Sequence, residues 1–198
     1  MKATRFKSLF VLCIAISGLV LAAPPANAQR RDYLTDDEVE IVRDAQQIDS
    51  RMRVLMRAID RRFAVLGIDA GGNVPKEKSE AWGPPPAGTR MELLDDIRRI
   101  IQKAVDDIDN LSERPDSIVV ESPTKKEKPK KYEDVFPPAV RILAAAARRY
   151  EPILKREYEA SKDERERGLL SQSGDLCEEI IAAEGRLKSD PPKKTEDR

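Results

Sequence analysis

The feature that most constrains the fold of this chain is an apolar stripe that runs through residues 35–66. Apolar side chains recur there at alternating steps of four and three residues, which places them on one face of an α-helix. The stripe consists of Ile41, Ala45, Ile48, Met52, Leu55, Ile59, Phe63 and Leu66. One helix over these residues would be about 48 Å long and could not keep that face in water. We therefore predict a long helix that other helices cover.

Both ends of this first helix are marked in the sequence. Thr35 and Glu38 have the spacing of a capping box, in which each side chain accepts a hydrogen bond from the backbone N–H of the other residue. The acidic residues after Thr35 suit the positive end of the helix dipole. Gly67 provides a stop at the C-terminal end.

Three further segments have helical spacing of apolar residues, and we predict helices at 90–111, 138–160 and 163–187. Thr89 and Glu92 repeat the capping-box spacing before the second helix. For the last helix two alternatives stay open, because Gly168 and Gly174 favour a break whereas the spacing favours continuity.

These patterns predict an all-α fold, an antiparallel four-helix bundle with long connecting loops, over residues 35–187. A short lead at 29–34 precedes it, and a polar tail at 188–198, which we expect to be disordered, follows it. Prolines and lysines at about 112–134 predict a mobile linker. The alternative is that Ile118, Val119 and Val120 dock as an extended segment.

The first 28 residues have the pattern of a signal peptide. Basic residues precede an unbroken apolar run, and Ala26-Asn27-Ala28 is typical of a signal peptidase site. We predict cleavage after Ala28 and a periplasmic or secreted protein. Attachment to a membrane would then require that the signal peptide stays uncleaved.

The charge balance and the missing histidine limit the classes of function. The 36 basic residues are matched by 36 acidic residues, so we expect no nucleic-acid partner. The absence of histidine removes Ser-His-Asp and Cys-His catalysis and histidine-ligated metal sites. For Asp106, Asp107 and Asp109 we favour a solvated acidic face over a calcium site. We therefore predict a protein that is not an enzyme and that has no cofactor and no metal site.

One cysteine, Cys177, would remain after cleavage, so the mature chain could form no internal disulfide. Cys177 lies on the apolar stripe of the last helix. This position favours a buried, inert thiol over an intermolecular disulfide.

Four residues are candidate contacts for an anion or a partner. Arg53, Arg57 and Arg61 share one helix face at steps of four residues, so either neighbouring acids pair with them or they bind an anionic ligand. Trp82 lies in a connection rich in glycine and proline. It either packs over the helices or marks a binding loop.

The chain resembles uncharacterised exported all-helical bacterial proteins of unknown function. The resemblance rests on three stretches: residues 33–38 (YLTDDE), Trp82-Gly83-Pro84 with Leu93-Leu94-Asp95-Asp96, and residues 163–167 (DERER). It implies a secreted helical bundle and assigns no site residues.

We expect a non-enzymatic interaction or scaffold protein that binds another protein or a component of the cell envelope. The alternative is a small-anion-binding or sensor bundle that uses Arg53, Arg57 and Arg61. An anion binder should show a closed pocket with unpaired arginines, whereas a protein binder should show an exposed apolar patch.

Overall fold

A computed structural model describes residues 31–72, 80–114 and 131–189 of the chain. These residues form five α-helices and one short 3₁₀ helix, and they contain no β-strand. The elements are α1 (Asp36–Asp44), α2 (Ile48–Val65), the 3₁₀ helix (Glu80–Trp82), α3 (Arg90–Ser112), α4 (Tyr132–Ala160) and α5 (Glu164–Ser189). The predicted all-α class is therefore confirmed. None of these helices combines the length and the apolar character that a membrane span requires.

The prediction of one continuous helix over residues 35–66 is wrong, because the chain leaves helical geometry at residues 45–47. Ala45 has φ −76° and ψ 72°, and Gln47 has φ −76° and ψ 134°. The Nε of Arg51 donates a hydrogen bond to the carbonyl oxygen of Ala45 (3.1 Å), which satisfies one backbone group at the break.

The break allows Glu38 to make a tertiary contact that a straight helix would prevent. A straight helix would hold Glu38 about 35 Å from Arg61. In the structure the two side chains form a salt bridge of 2.6 Å, because α1 folds back along α2. The apolar stripe keeps its spacing on both sides of the break and therefore does not reveal it.

The predicted helix ends are confirmed where local chemistry determines them. Thr35 with Glu38 and Thr89 with Glu92 both form reciprocal capping boxes. Gly67 has φ +73° and ends α2. The N–H of Gly67 donates to the oxygen of Ala64 (3.0 Å) and the N–H of Ile68 to that of Phe63 (2.8 Å), the bonds of a Schellman motif.

α4 begins at Tyr132, six residues before the predicted start at 138. Residues 132–134 therefore belong to the helix and not to the predicted linker. Two features support this early start. Asp134 accepts a hydrogen bond from the backbone N–H of Lys131 (3.1 Å), and the rings of Tyr132 and Phe136 stack with centroids 4.8 Å apart.

α5 is continuous through Gly168 and Gly174, which decides between the two alternatives for this segment. It ends at Ser189, two residues beyond the predicted end. The predicted signal peptide at 1–28, residues 115–130 of the predicted linker and residues 190–198 of the tail lie outside the described residues.

The core lies among α2, α3, α4 and α5. α5 packs against α4 and α3, and α2 packs against α3 and α4. Trp82 and Leu34 join the same apolar cluster from outside these helices. The side chains that are almost inaccessible to solvent include Met52, Leu55, Ile59, Phe63, Leu94, Ile97, Ile100, Ile101, Tyr150 and Leu154.

Candidate functional site

The three arginines that are candidates for an anion-binding face do not converge on one open site. The side chain of Arg53 is 62% exposed and lies 3.9 Å from Asp49, one turn away on the same helix. The side chain of Arg61 is only 6% exposed and is paired with Glu38. Arg57 has intermediate exposure and lies beside Trp82. Neighbouring acids therefore pair with Arg53 and Arg61.

Trp82 is 6% exposed and belongs to the core cluster. The guanidinium carbons of Arg57 and Arg61 lie 5.4 Å and 5.5 Å from its ring centroid, within the range of cation–π attraction. Arg61 also donates hydrogen bonds to the carbonyl oxygens of Gly83 (3.3 Å) and Pro84 (2.5 Å). Trp82 therefore packs over the helices, the first of its two interpretations.

A buried network of four charged side chains lies beside Trp82, and only Arg61 among its members is one of the candidate contacts predicted from the sequence. Arg62 donates to both carboxylate oxygens of Glu38, at 2.8 Å and 2.7 Å. Its Nε lies 3.5 Å from Oδ2 of Asp96. The two guanidinium charges balance the two carboxylate charges, and all four residues are buried. Because the network is neutral and enclosed, its clearest role is to fasten α1 to α2 and α3.

The sequence contained only a partial signal for this network. Glu38 already has a local explanation as the partner of Thr35 in the capping box, so nothing in the pattern marks it as a long-range contact. The break at residues 45–47, which brings Glu38 to Arg62, is also invisible in the apolar spacing.

A second buried polar cluster holds the segment that follows α2. The hydroxyl of Tyr150 lies 2.8 Å from Oδ1 of Asp60 and 3.0 Å from the carbonyl oxygen of Met56, and these two acceptors share its one proton. Arg149 donates to the carbonyl oxygen of Ala70 (2.6 Å) and lies 3.4 Å from Asp60. Burial raises the pKa of Asp60 above its usual range, and hydrogen bonds from Tyr150 and the charge of Arg149 oppose this shift.

The acidic residues near the end of α3 are partly paired within their own helix. Lys103 donates to Asp107, and Gln102 donates to Asp106 (2.9 Å). Across the described ranges, no group of three or more carboxylate or cysteine side chains is arranged to hold a metal ion.

Cys177 is a free cysteine that is 1% exposed. Burial, with smaller contributions from Glu151 and Glu178, raises the pKa of its thiol to about 12. The predicted burial of Cys177 is therefore confirmed, and a thiol that stays protonated is a poor nucleophile.

An apolar groove of about 250 Å³ lies where α3, α4 and α5 meet, and it is partly open to solvent. Asp109 of α3 and Glu179 and Arg186 of α5 contribute to its lining. The apolar side chains that line it are Val105, Ile108, Phe136, Val140, Leu143, Ile180, Ala183 and Leu187. The sequence predicts that these residues lie on apolar helix faces, but it does not indicate that the packing leaves a space between them.

Among the surfaces described, this groove is the best candidate for a functional site, because it offers accessible apolar area beside charged groups. Comparisons of the chain with protein-family models, with curated proteins and with solved structures found no match. The resemblance to exported helical bacterial proteins therefore stays a prediction.

Proposed function

We propose that this protein is an exported, non-enzymatic interaction protein that binds an apolar segment of a protein partner in the groove of α3, α4 and α5. The observation that carries the proposal is the groove itself, in which eight apolar side chains line a space that is partly open to solvent. Apolar surface in contact with water has a free energy about 25 cal/mol per Å² higher than the same surface when it is buried. Grooves lined by apolar side chains are a recurring way in which proteins bind amphipathic helices.

The size of the groove suits side chains of a partner better than a large ligand. Its volume of about 250 Å³ exceeds the ~150 Å³ of an apolar cavity that accepts benzene. It falls below the ~300–1,000 Å³ usual for sites that enclose drug-sized ligands. One or two apolar side chains, presented by a helix lying along the groove, fit this space.

We further propose that α2, α3, α4 and α5 form an antiparallel four-helix bundle with the groove near one end. Three contacts support this arrangement. Arg62 near the end of α2 faces Asp96 near the start of α3, and Arg51 near the start of α2 lies 4.0 Å from Asp107 near the end of α3. Arg90 at the start of α3 bonds Glu157 near the end of α4.

The alternative function, a small-anion-binding or sensor bundle on Arg53, Arg57 and Arg61, has less support. The guanidinium group of Arg61 already bonds Glu38 and two backbone carbonyls. An anion would have to displace these buried partners. The partner that we propose is instead a protein of the cell envelope, in keeping with the predicted signal peptide.

Two neighbouring alanines allow a sharp test. Ala183 lines the groove, whereas Ala182 is exposed and does not line it. Ala183→Glu would place a charge in the groove, and Ala182→Glu is a control with the same helix propensity change. We expect a protein captured from envelope extract by the wild type to be captured by Ala182→Glu and lost with Ala183→Glu, while circular dichroism shows both variants folded. Capture of the same proteins by both variants would contradict the proposal.

A further inference from the structure

Three charged side chains of the groove have no partner among the residues that the structure describes. Asp109, Glu179 and Arg186 have no side-chain hydrogen bond or ion pair within the described parts of the chain. Some other charged residues of the same helices are paired, such as Arg90 with Glu157. The charges of the groove are therefore available to a partner.

The spacing of these charges has a regular geometry. Glu179 and Arg186 are seven residues apart on α5, which is two helical turns or about 10 Å along one face. Ile180, Ala183 and Leu187 line the groove on the same helix. α5 thus presents a negative group, an apolar stretch and a positive group in line, and Asp109 adds a second negative group from α3.

We propose, resting on the function proposed above, that the partner segment is an amphipathic helix with a basic and an acidic residue about two turns apart and apolar residues between them. The basic residue would pair with Glu179, the acidic residue with Arg186, and the apolar residues would enter the groove. A helix can lie along the groove in either direction, so the order of the two charges in the partner sequence is not fixed.

The expected selectivity follows from the charges. A lysine opposite Arg186 or a glutamate opposite Glu179 replaces an attraction with a repulsion. Exposed ion pairs contribute roughly 0.2–1 kcal/mol, which corresponds to about 1.4-fold to 5-fold in affinity for each pair. Because Asp109 adds negative charge, we expect a partner with two acidic residues to bind more weakly than one with two basic residues.

Three hydrocarbon-stapled helical peptides with the same apolar face can test this selectivity. They carry Lys and Glu, Lys and Lys, or Glu and Glu at positions seven residues apart, with leucines between. We expect the Lys/Glu peptide to bind the purified protein most tightly and the Glu/Glu peptide to bind about 2-fold to 10-fold more weakly. Fluorescence anisotropy at low and high salt measures the affinities, and the differences should shrink at high salt.

A charge variant of the protein should change the preference. Arg186→Glu makes all three of these charges negative, so we expect the Lys/Lys peptide to become the tightest binder. Arg165→Glu changes the net charge equally but lies in the first turn of α5, away from the groove. Arg165→Glu should therefore leave the order of the three peptide affinities unchanged.

The outcomes separate the two proposals. If all three peptides bind equally and Ala183→Glu abolishes binding, the groove binds apolar helices but the charge selectivity proposed here is wrong. If no peptide binds, the proposed function fails together with this inference. A Glu/Glu peptide that binds the wild type most tightly also overturns the inference.

Discussion

At the scale of single residues, Glu38 has two structural roles. Its carboxylate accepts a hydrogen bond from the backbone N–H of Thr35 (3.0 Å), which caps α1. The same carboxylate holds Arg61 and Arg62 in the interior. Taking such charges out of water costs several kcal/mol per ion, and only close pairing offsets that cost.

We expect Glu38→Gln to lower the free energy of unfolding by about 3–5 kcal/mol, because it would leave two buried guanidinium groups without their main counter-charge. Glu92→Gln is the matched control. Glu92 has the same capping-box position in α3 but is exposed, so we expect a cost below about 1 kcal/mol. Urea denaturation measures both. Equal losses for the two variants would show that the capping bond alone explains the contribution of Glu38.

At the scale of helices, replacing a glycine with alanine should change the stability of the protein in opposite directions, depending on the surroundings of the glycine. A Cβ at Gly168 or Gly174 would meet no atom within 4 Å. A Cβ at Gly72 would lie 1.8 Å from the carboxylate of Asp60.

We expect Gly168→Ala and Gly174→Ala each to stabilise the protein by about 0.5–1 kcal/mol, because alanine is the better helix former. Gly72→Ala should destabilise it by about 1–3 kcal/mol through the forced displacement of a buried group. The urea midpoints of the three variants test this. A loss of stability with Gly174→Ala would argue against a continuous α5.

The helices differ in how far the sequence predicts them. The starts of α1 and α3 follow from capping boxes, which are local bonds between residues three apart, and these starts were predicted. The break before Ile48 allows the contact of Glu38 with Arg61 and Arg62, which no local pattern contains. The early start of α4 escaped prediction because Pro137 and Pro138 suit a first turn, although here they lie in the second.

The candidate site was less predictable than the fold, for a related reason. Arg61 and Trp82 were identified because they are conspicuous in the sequence, and both have packing roles. The groove depends on how α3, α4 and α5 leave a space between apolar faces. Apolar periodicity reports which side chains face inward, but not whether a neighbour fills the volume beside them.

At the scale of the whole molecule, the buried carboxyl group of Asp60 should make the stability of the protein depend on pH. Asp60 is buried, and the charged or titratable groups facing it are Tyr150 and Arg149 of α4 and Arg57 of α2. Its pKa is raised in the folded protein above the value of about 3.9 that it has in an unfolded chain. The folded state therefore binds this proton more tightly than the unfolded state does.

We expect the stability contributed by this proton to be complete below about pH 3.9 and to be lost as the pH rises through the folded-state pKa of Asp60. Asp60→Asn removes this titration. The stability of the wild type relative to Asp60→Asn should thus fall as the pH rises above about 4. Urea denaturation of both proteins at a series of pH values measures the difference. A difference in stability that stays constant or grows with pH would contradict a raised pKa of Asp60 in the folded state.

The contact between Glu38 and Arg62 also bears on the order in which the protein assembles. These residues are 24 positions apart, whereas Asp60 and Tyr150 are 90 apart. Closing the longer loop costs about 1 kcal/mol more in chain entropy. All of the chain needed for the Glu38 contact is synthesised before α4 exists. We expect α1 and α2 to dock first and α4 to close over them afterwards.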